Sequence, residues 1–219
     1  MSDFRDLLTS TLARELDEHL LVSIRDSILA AISVHLRFTE DAYTNKMIKN
    51  IAVSDGMYLA VMQGAHDALS NSNVPYKLKT TQPKGGIYPV ISLPSFTIVP
   101  RRSNTLDAYR RANYLKKFAV QNEFYEPQNL DLFEDLEELD PNHESTIFMI
   151  LDVCVDDEQN VYFQFILPSS DLRIIHLNIK YEEVLDTYRS IEYDEDEPVA
   201  AIAVLKATLK DLDKKVSQQ

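Results

Sequence analysis

From Phe4 to Leu36 an apolar residue stands at every fourth position: Phe4, Leu8, Leu12, Leu16, Leu20, Ile24, Ile28, Ile32 and Leu36. Each helical residue turns the chain by 100°, so a step of four overshoots a full turn by about 40°. The stripe therefore winds around the helix axis, and one straight helix cannot bury it against a single partner. The pattern predicts either a break near residues 17–23 or contact from several sides, as in a bundle core or an oligomer. A mean helix length of about three turns is compatible with both.

Further along, Thr39 reads as an N-cap, with Glu40 and Asp41 in the first turn of a short helix. A second helix is expected from Ser54 or Asp55, with Tyr58, Val61, Met62, Ala65 and Leu69 at helical spacing. The polar run at 70–73 and Pro75 stop it, and 70–86 reads as a loop or boundary closing at Gly85-Gly86.

The period then falls to two. Short strands are expected at 87–91 and 95–99, with Pro89 confining the first to a sheet edge because it cannot donate to a ladder. Residues 104–122 read as helical again. Residues 146–155 and 161–167 alternate well, with Ile147, Met149, Leu151, Val153 and Val155 on one face of the first and Val161, Phe163, Phe165 and Leu167 on one face of the second. With a short polar link they form a β-hairpin. A third strand at 172–179 makes the stretch 146–179 a meander, and helices are expected at 181–189 and 199–215. Helices first and a mostly antiparallel sheet with flanking helices afterwards give an α+β fold. The boundary divides the chain into a helical region at 1–75 and an α+β domain at 86–219, unless the two are continuous.

Composition narrows the class. The 219 residues are 45% apolar and 26% charged, which excludes a disordered chain, and one cysteine excludes a disulfide framework. The acidic N-terminal residues are unlike a signal peptide, and no uninterrupted apolar run approaches the roughly 18 residues of a membrane span, so a cytoplasmic protein is expected. The net charge of −13 is unevenly spread. Residues 1–117 carry 15 basic and 11 acidic side chains, and residues 173–219 carry 7 and 10. Residues 118–172 carry 14 acidic side chains and no Lys or Arg at all.

Signatures of catalysis are missing. With four glycines the chain has no P-loop, no dinucleotide fingerprint and no nucleophile elbow, and no catalytic residue, cofactor or metal is assigned. Cys154 lies mid-strand beside Asp152 and the carboxylates of 156–158, a setting that opposes a thiolate. Those carboxylates read as a solvated turn.

Two charged clusters remain. Arg101, Arg102, Arg110, Arg111, Lys116 and Lys117 stand among Tyr109, Tyr114 and Phe118, with Arg110, Tyr114 and Lys117 on one helical face. Cations interleaved with aromatics suit phosphate neutralisation and base stacking. The second cluster, at 123–144, mixes Glu134, Asp135, Glu137 and Glu138 with Phe133 and Leu136. Carboxylates that steer a basic protein, around apolar anchors that bury against it, suit a docking surface.

The leading expectation is a non-enzymatic interaction protein that binds or neutralises a basic protein partner, in an antitoxin, immunity or anti-restriction type of role. One alternative is a nucleic-acid-binding protein or nuclease using the cluster at 101–117. A second is a homo-oligomerisation module with its contact in residues 4–36.

Overall fold

The structure is a computed structural model that describes residues 2–81, 85–104, 112–125, 146–156 and 158–188, and every structural statement below refers to these. Three helices come first: α1 (Ser2–Glu15), α2 (Glu18–Ala42) and α3 (Lys46–Ser70). Strands β1 (Tyr76–Thr80), β2 (Ile87–Ser92) and β3 (Phe96–Ser103) follow, then α4 (Asn113–Ala119) running into a 3₁₀ turn at Val120–Tyr125. Strands β4 (Ile147–Val155), β5 (Val161–Pro168) and β6 (Ile175–Lys180) lead into α5 (Tyr181–Thr187). The fold is α+β with a helical N-terminal segment.

The six strands form one sheet in sequence order. Neighbours are antiparallel except β3 and β4, which run parallel in the register Phe96↔Ile147 to Ser103↔Cys154. Two antiparallel meanders thus join through one parallel pair, and that pair needs a crossover, supplied by the stretch holding α4. The hairpin of β4 and β5 pairs Val155 with Val161 and Leu151 with Phe165, which puts the two expected apolar rows on one face. Tyr181 of α5 stacks on Phe165 of that face and tilts against Phe163, while α4 covers the other face through Phe118 on Phe148 and Tyr114 on Tyr88. One buried apolar cluster runs from Phe4 through the sheet to Val184.

The winding stripe is resolved by both expected means. The helix breaks after Leu16, where Asp17 accepts a hydrogen bond from the His19 N–H and caps α2. On either side of the break Phe4, Leu8, Leu12, Leu16, Leu20, Ile24, Ile28 and Ile32 are all buried. The chain's own core therefore consumes the stripe as far as Ile32, and these side chains are not open to a second copy.

Three local expectations are corrected. Thr39 does not start a helix; its hydroxyl donates back to the carbonyls of His35 and Leu36 inside α2. The cap belongs to Asn45, whose carboxamide oxygen accepts from the Met47 and Ile48 N–H groups, so α3 starts well before Ser54. Residues 76–80, read as loop, are strand β1 and take the sheet edge expected for β2. Pro89 sits in an inner strand because β2 pairs with β3 only at Ile91 and Ser92, so no partner on that side misses its donor. The helix expected at 199–215 lies outside the described residues.

Candidate functional site

The carboxyl ends of the parallel pair hold a row of polar side chains, the place where open sheets with a parallel crossover commonly bind ligands. Register sets Arg101 beside Asp152 and Ser103 beside Cys154, and the antiparallel pairs add Gln164 and Asn178 on the same face. Asn178 Nδ2 donates to Gln164 Oε1 at 2.7 Å, and Gln164 Nε2 donates to Asp152 Oδ2 at 2.8 Å. Burial pushes the Asp152 carboxyl above the usual aspartate value, against the opposing pull of Ser103, Gln164 and Arg101. The Ser103 hydroxyl lies near enough to favour both the Asp152 and Cys154 anions. Even so, its Oγ and Asp152 Oδ1 are buried with no hydrogen bond of good geometry.

Those groups are capable of proton transfer, but access decides against it. Asp152 is 1% exposed and Ser103 3%, so a substrate does not reach either. Cys154 is half-buried; burial first, then Asp152 and Asp156, push its thiol up, while Ser103 and Arg102 pull the other way. A thiol held in its neutral form is a poor nucleophile. Asp156 spends its carboxylate on the hairpin turn, accepting from the Glu158 and Asn160 N–H groups at 2.9 and 2.8 Å. Among the described residues no group of three or more His, Cys, Asp or Glu is placed to hold a metal ion.

The basic cluster is divided. Arg101 donates to the Tyr114 hydroxyl at 3.3 Å, with its guanidinium 5.8 Å from that ring. Tyr114 is buried against Tyr88, so it belongs to the core under α4 and offers no stacking surface to solvent. Arg102 is half-buried, and burial lowers its pKa. Lys116 and Lys117 are exposed on α4. Arg110 and Arg111 lie outside the described residues, as do Phe133, Glu134, Asp135, Leu136, Glu137 and Glu138.

The described flanks of the acidic stretch are tightly built. By register Phe148 would next pair with Pro168, since Ile150 pairs with Ile166. Proline has no N–H to give, so the Phe148 carbonyl would be left open inside the sheet. Asn122, 2% exposed, fills the gap. Its Nδ2 donates to the carbonyls of Phe148 at 3.0 Å and Pro168 at 2.7 Å, and its Oδ1 accepts the Phe148 N–H at 2.8 Å. Next to it, Thr146 Oγ1 bonds Thr97 Oγ1 at 2.7 Å. Both flanks are thus pinned at the amino end of β4. From Thr97 to Arg101 along β3 is four residues, about 13 Å.

Sequence reasoning missed Asn122 and the Asp152–Gln164–Asn178 row. Period two assigns Asp152 and Gln164 to the face opposite the apolar rows, a visible signal. Pro168 in a strand is another, because its missing donor calls for a substitute. Comparison with protein-family models, with curated proteins and with solved structures found no match to this chain.

Proposed function

We propose that this is a non-enzymatic interaction protein that engages a basic protein partner in the cytoplasm through its acidic stretch. Glu134, Asp135, Glu137 and Glu138 steer the partner, and Phe133 and Leu136 anchor it. Neutralising such a partner is the work of an antitoxin, immunity or anti-restriction type of protein. The observation that carries the reading is the double anchorage of the stretch by Asn122 and Thr146, at the end of the sheet away from Arg101 and Arg102. The nine carboxylates of 123–144, without one Lys or Arg among them, then have an outside partner as their natural counter-charge. The burial of Asp152, which raises its carboxyl above the usual aspartate value, and the neutral Cys154 thiol weigh against an enzyme. The nucleic-acid alternative has less support, since Tyr114, its stacking residue, is in the core.

The immobilised chain, exposed to native-cell extract at low and high salt, tests this reading. A basic protein should be retained at low salt, released at high salt, and lost in the variant Glu134→Lys/Asp135→Lys/Glu137→Lys/Glu138→Lys. Retention indifferent to both salt and charge reversal overturns it. A nucleic-acid probe bound by the wild type and released by Arg110→Glu/Arg111→Glu would favour the alternative.

A further inference from the structure

Strand β1 ends the sheet, and its outer edge has no neighbouring strand among the described residues. The ladder to β2 fixes which of its main-chain groups point outward. The Thr81 N–H donates to the Gly86 carbonyl and the Ser92 N–H to the Pro75 carbonyl, both at 2.9 Å, on either side of the register Tyr76↔Ile91 to Thr80↔Ile87. Bonded and non-bonded pairs alternate along an antiparallel ladder. Residues 75, 77, 79 and 81 therefore bond inward, and Tyr76, Leu78 and Thr80 turn their main-chain groups away from the sheet. Every residue of β1 except Tyr76 is exposed.

The side chains alternate as well. On the α3 face the Tyr76 hydroxyl meets His66 at 3.2 Å, and Leu78 and Thr80 open on a groove of about 600 Å³ walled by Leu59, Met62 and Ile87. Its mouth is apolar, with Leu59, Leu78 and Ile87 49–58% exposed. Lys77 and Lys79 stand on the opposite face, where Lys79 Nζ lies 4.7 Å from the centre of the Phe118 ring of α4. Neither lysine makes an ion pair among the described residues. Helix α4, which lies on that face, exposes Lys116 and Lys117 and carries no carboxylate.

We infer that β1 receives an extended segment of a partner protein as an added edge strand, one whose residues alternate between acidic and apolar. In strand addition the main-chain hydrogen bonds supply affinity and the alternate side chains supply specificity. The outward groups of Tyr76, Leu78 and Thr80 bond the incoming main chain. Its apolar side chains fall on the groove side beside Leu78, and its carboxylates fall beside Lys77 and Lys79. Charge selects this occupant. Lysines on a sheet edge keep off strands that would pair there without discrimination. A second copy pairing edge to edge would crowd the lysines of both chains together, and like charges across a strand pair oppose it. A basic segment meets the same repulsion, whereas an acidic one turns both lysines into cross-strand ion pairs. The surface is separate from Glu134, Asp135, Glu137 and Glu138, and the inference does not rest on them.

Fluorescence anisotropy of the full chain with two labelled peptides, one of alternating Glu and Val and one of alternating Lys and Val, tests the inference. The acidic peptide should bind saturably and roughly tenfold or more tighter than the basic one. On binding, the Leu78 and Thr80 amides should exchange hydrogen more slowly. Lys77→Glu/Lys79→Glu should reverse the preference. Thr80→Pro removes an outward N–H, which an edge tolerates, so it should keep the melting temperature and weaken binding roughly tenfold. The Lys variant at 134, 135, 137 and 138 should leave peptide binding unchanged, which separates this edge from the acidic stretch. Absence of saturable binding overturns the inference, as does binding indifferent to both β1 variants. A dimer in sedimentation velocity that Thr80→Pro dissolves gives the edge to a second copy instead. Leu78 and Thr80 amides already protected in the free monomer give it to the chain itself, and that too overturns the inference.

Discussion

Replacing Asn122 by Ala removes all three hydrogen bonds that close the gap between β4 and β5. The Phe148 N–H, the Phe148 carbonyl and the Pro168 carbonyl are then left without their partner in a place where Asn122 itself is 2% exposed. An orphaned buried polar group costs about 1–3 kcal/mol. Water entering the vacated space recovers part of this, so a net loss of about 3–5 kcal/mol is expected, against about 5–15 kcal/mol for a whole domain. At about 2–4 °C per kcal/mol for a chain of this size, the melting temperature should fall by roughly 10 °C. Urea denaturation should show a lower midpoint with an unchanged slope, and the Phe148 amide should lose hydrogen-exchange protection first. Asn122→Asp sharpens the test. It keeps an oxygen for the Phe148 N–H but aims another at two carbonyls, so it should be at least as damaging at neutral pH and partly relieved by acid. A loss below about 1 kcal/mol for Ala, or an Asp variant as stable as the wild type, would refute the clamp and with it the anchorage of the acidic stretch.

Asp152→Asn isolates a pH effect. Burial raises the native carboxyl above its usual 3.8, so the folded state holds the proton more tightly than the unfolded chain. That contribution to stability is full below about 3.8 and is lost as pH rises through the raised native value. Asn keeps an oxygen for Gln164, so the variant should match the wild type in acid and equal or exceed it above neutrality, as followed by chemical denaturation across pH. A wild type that gains stability relative to Asn on going from acid to neutral pH contradicts the raised value. Gly64→Ala would set a Cβ 2.5 Å from the Ile28 Cα and 2.7 Å from the Ser27 carbonyl oxygen, both backbone. It should force α2 and α3 apart at a cost of about 1–3 kcal/mol by thermal denaturation, and a neutral substitution rejects the close crossing. Cys154 should alkylate more slowly than a free thiol at neutral pH and catch up only above the usual thiol range; fast reaction at neutral pH would contradict its raised pKa.

Local pattern was legible where one face of one element carried the whole signal. The apolar rows at alternate positions in 147–155 and 161–167 point to a hairpin, and its register follows once the turn is short. Phe4 to Ile32 required a break or a many-sided burial, and the chain has both. Where two signals competed, local reading chose the wrong residue. Thr39 resembles a cap because its hydroxyl satisfies backbone groups, yet the same hydroxyl bonds carbonyls within α2 equally well. Strand β1 escaped notice because YKLKT is mostly exposed and sits among turn formers, so little apolar burial marks it.

The sequence by itself determined the α+β class, the β4–β5 hairpin, the need for a break or many-sided burial in the first helix and the concentration of charge in 118–172. Each is a property of composition or of periodicity along one stretch of chain. Only the tertiary structure decided that Tyr114 belongs to the core, that Asn122 replaces the donor Pro168 lacks, and that Val34 and Phe38 of α2 stay exposed while Ile28 and Ile32 are buried. These depend on groups 46 residues apart in the case of Asn122 and Pro168, and on which side of each helix the core covers. Burial and hydrogen bonding are settled by which surfaces meet, and periodicity within one element does not specify the surface opposite.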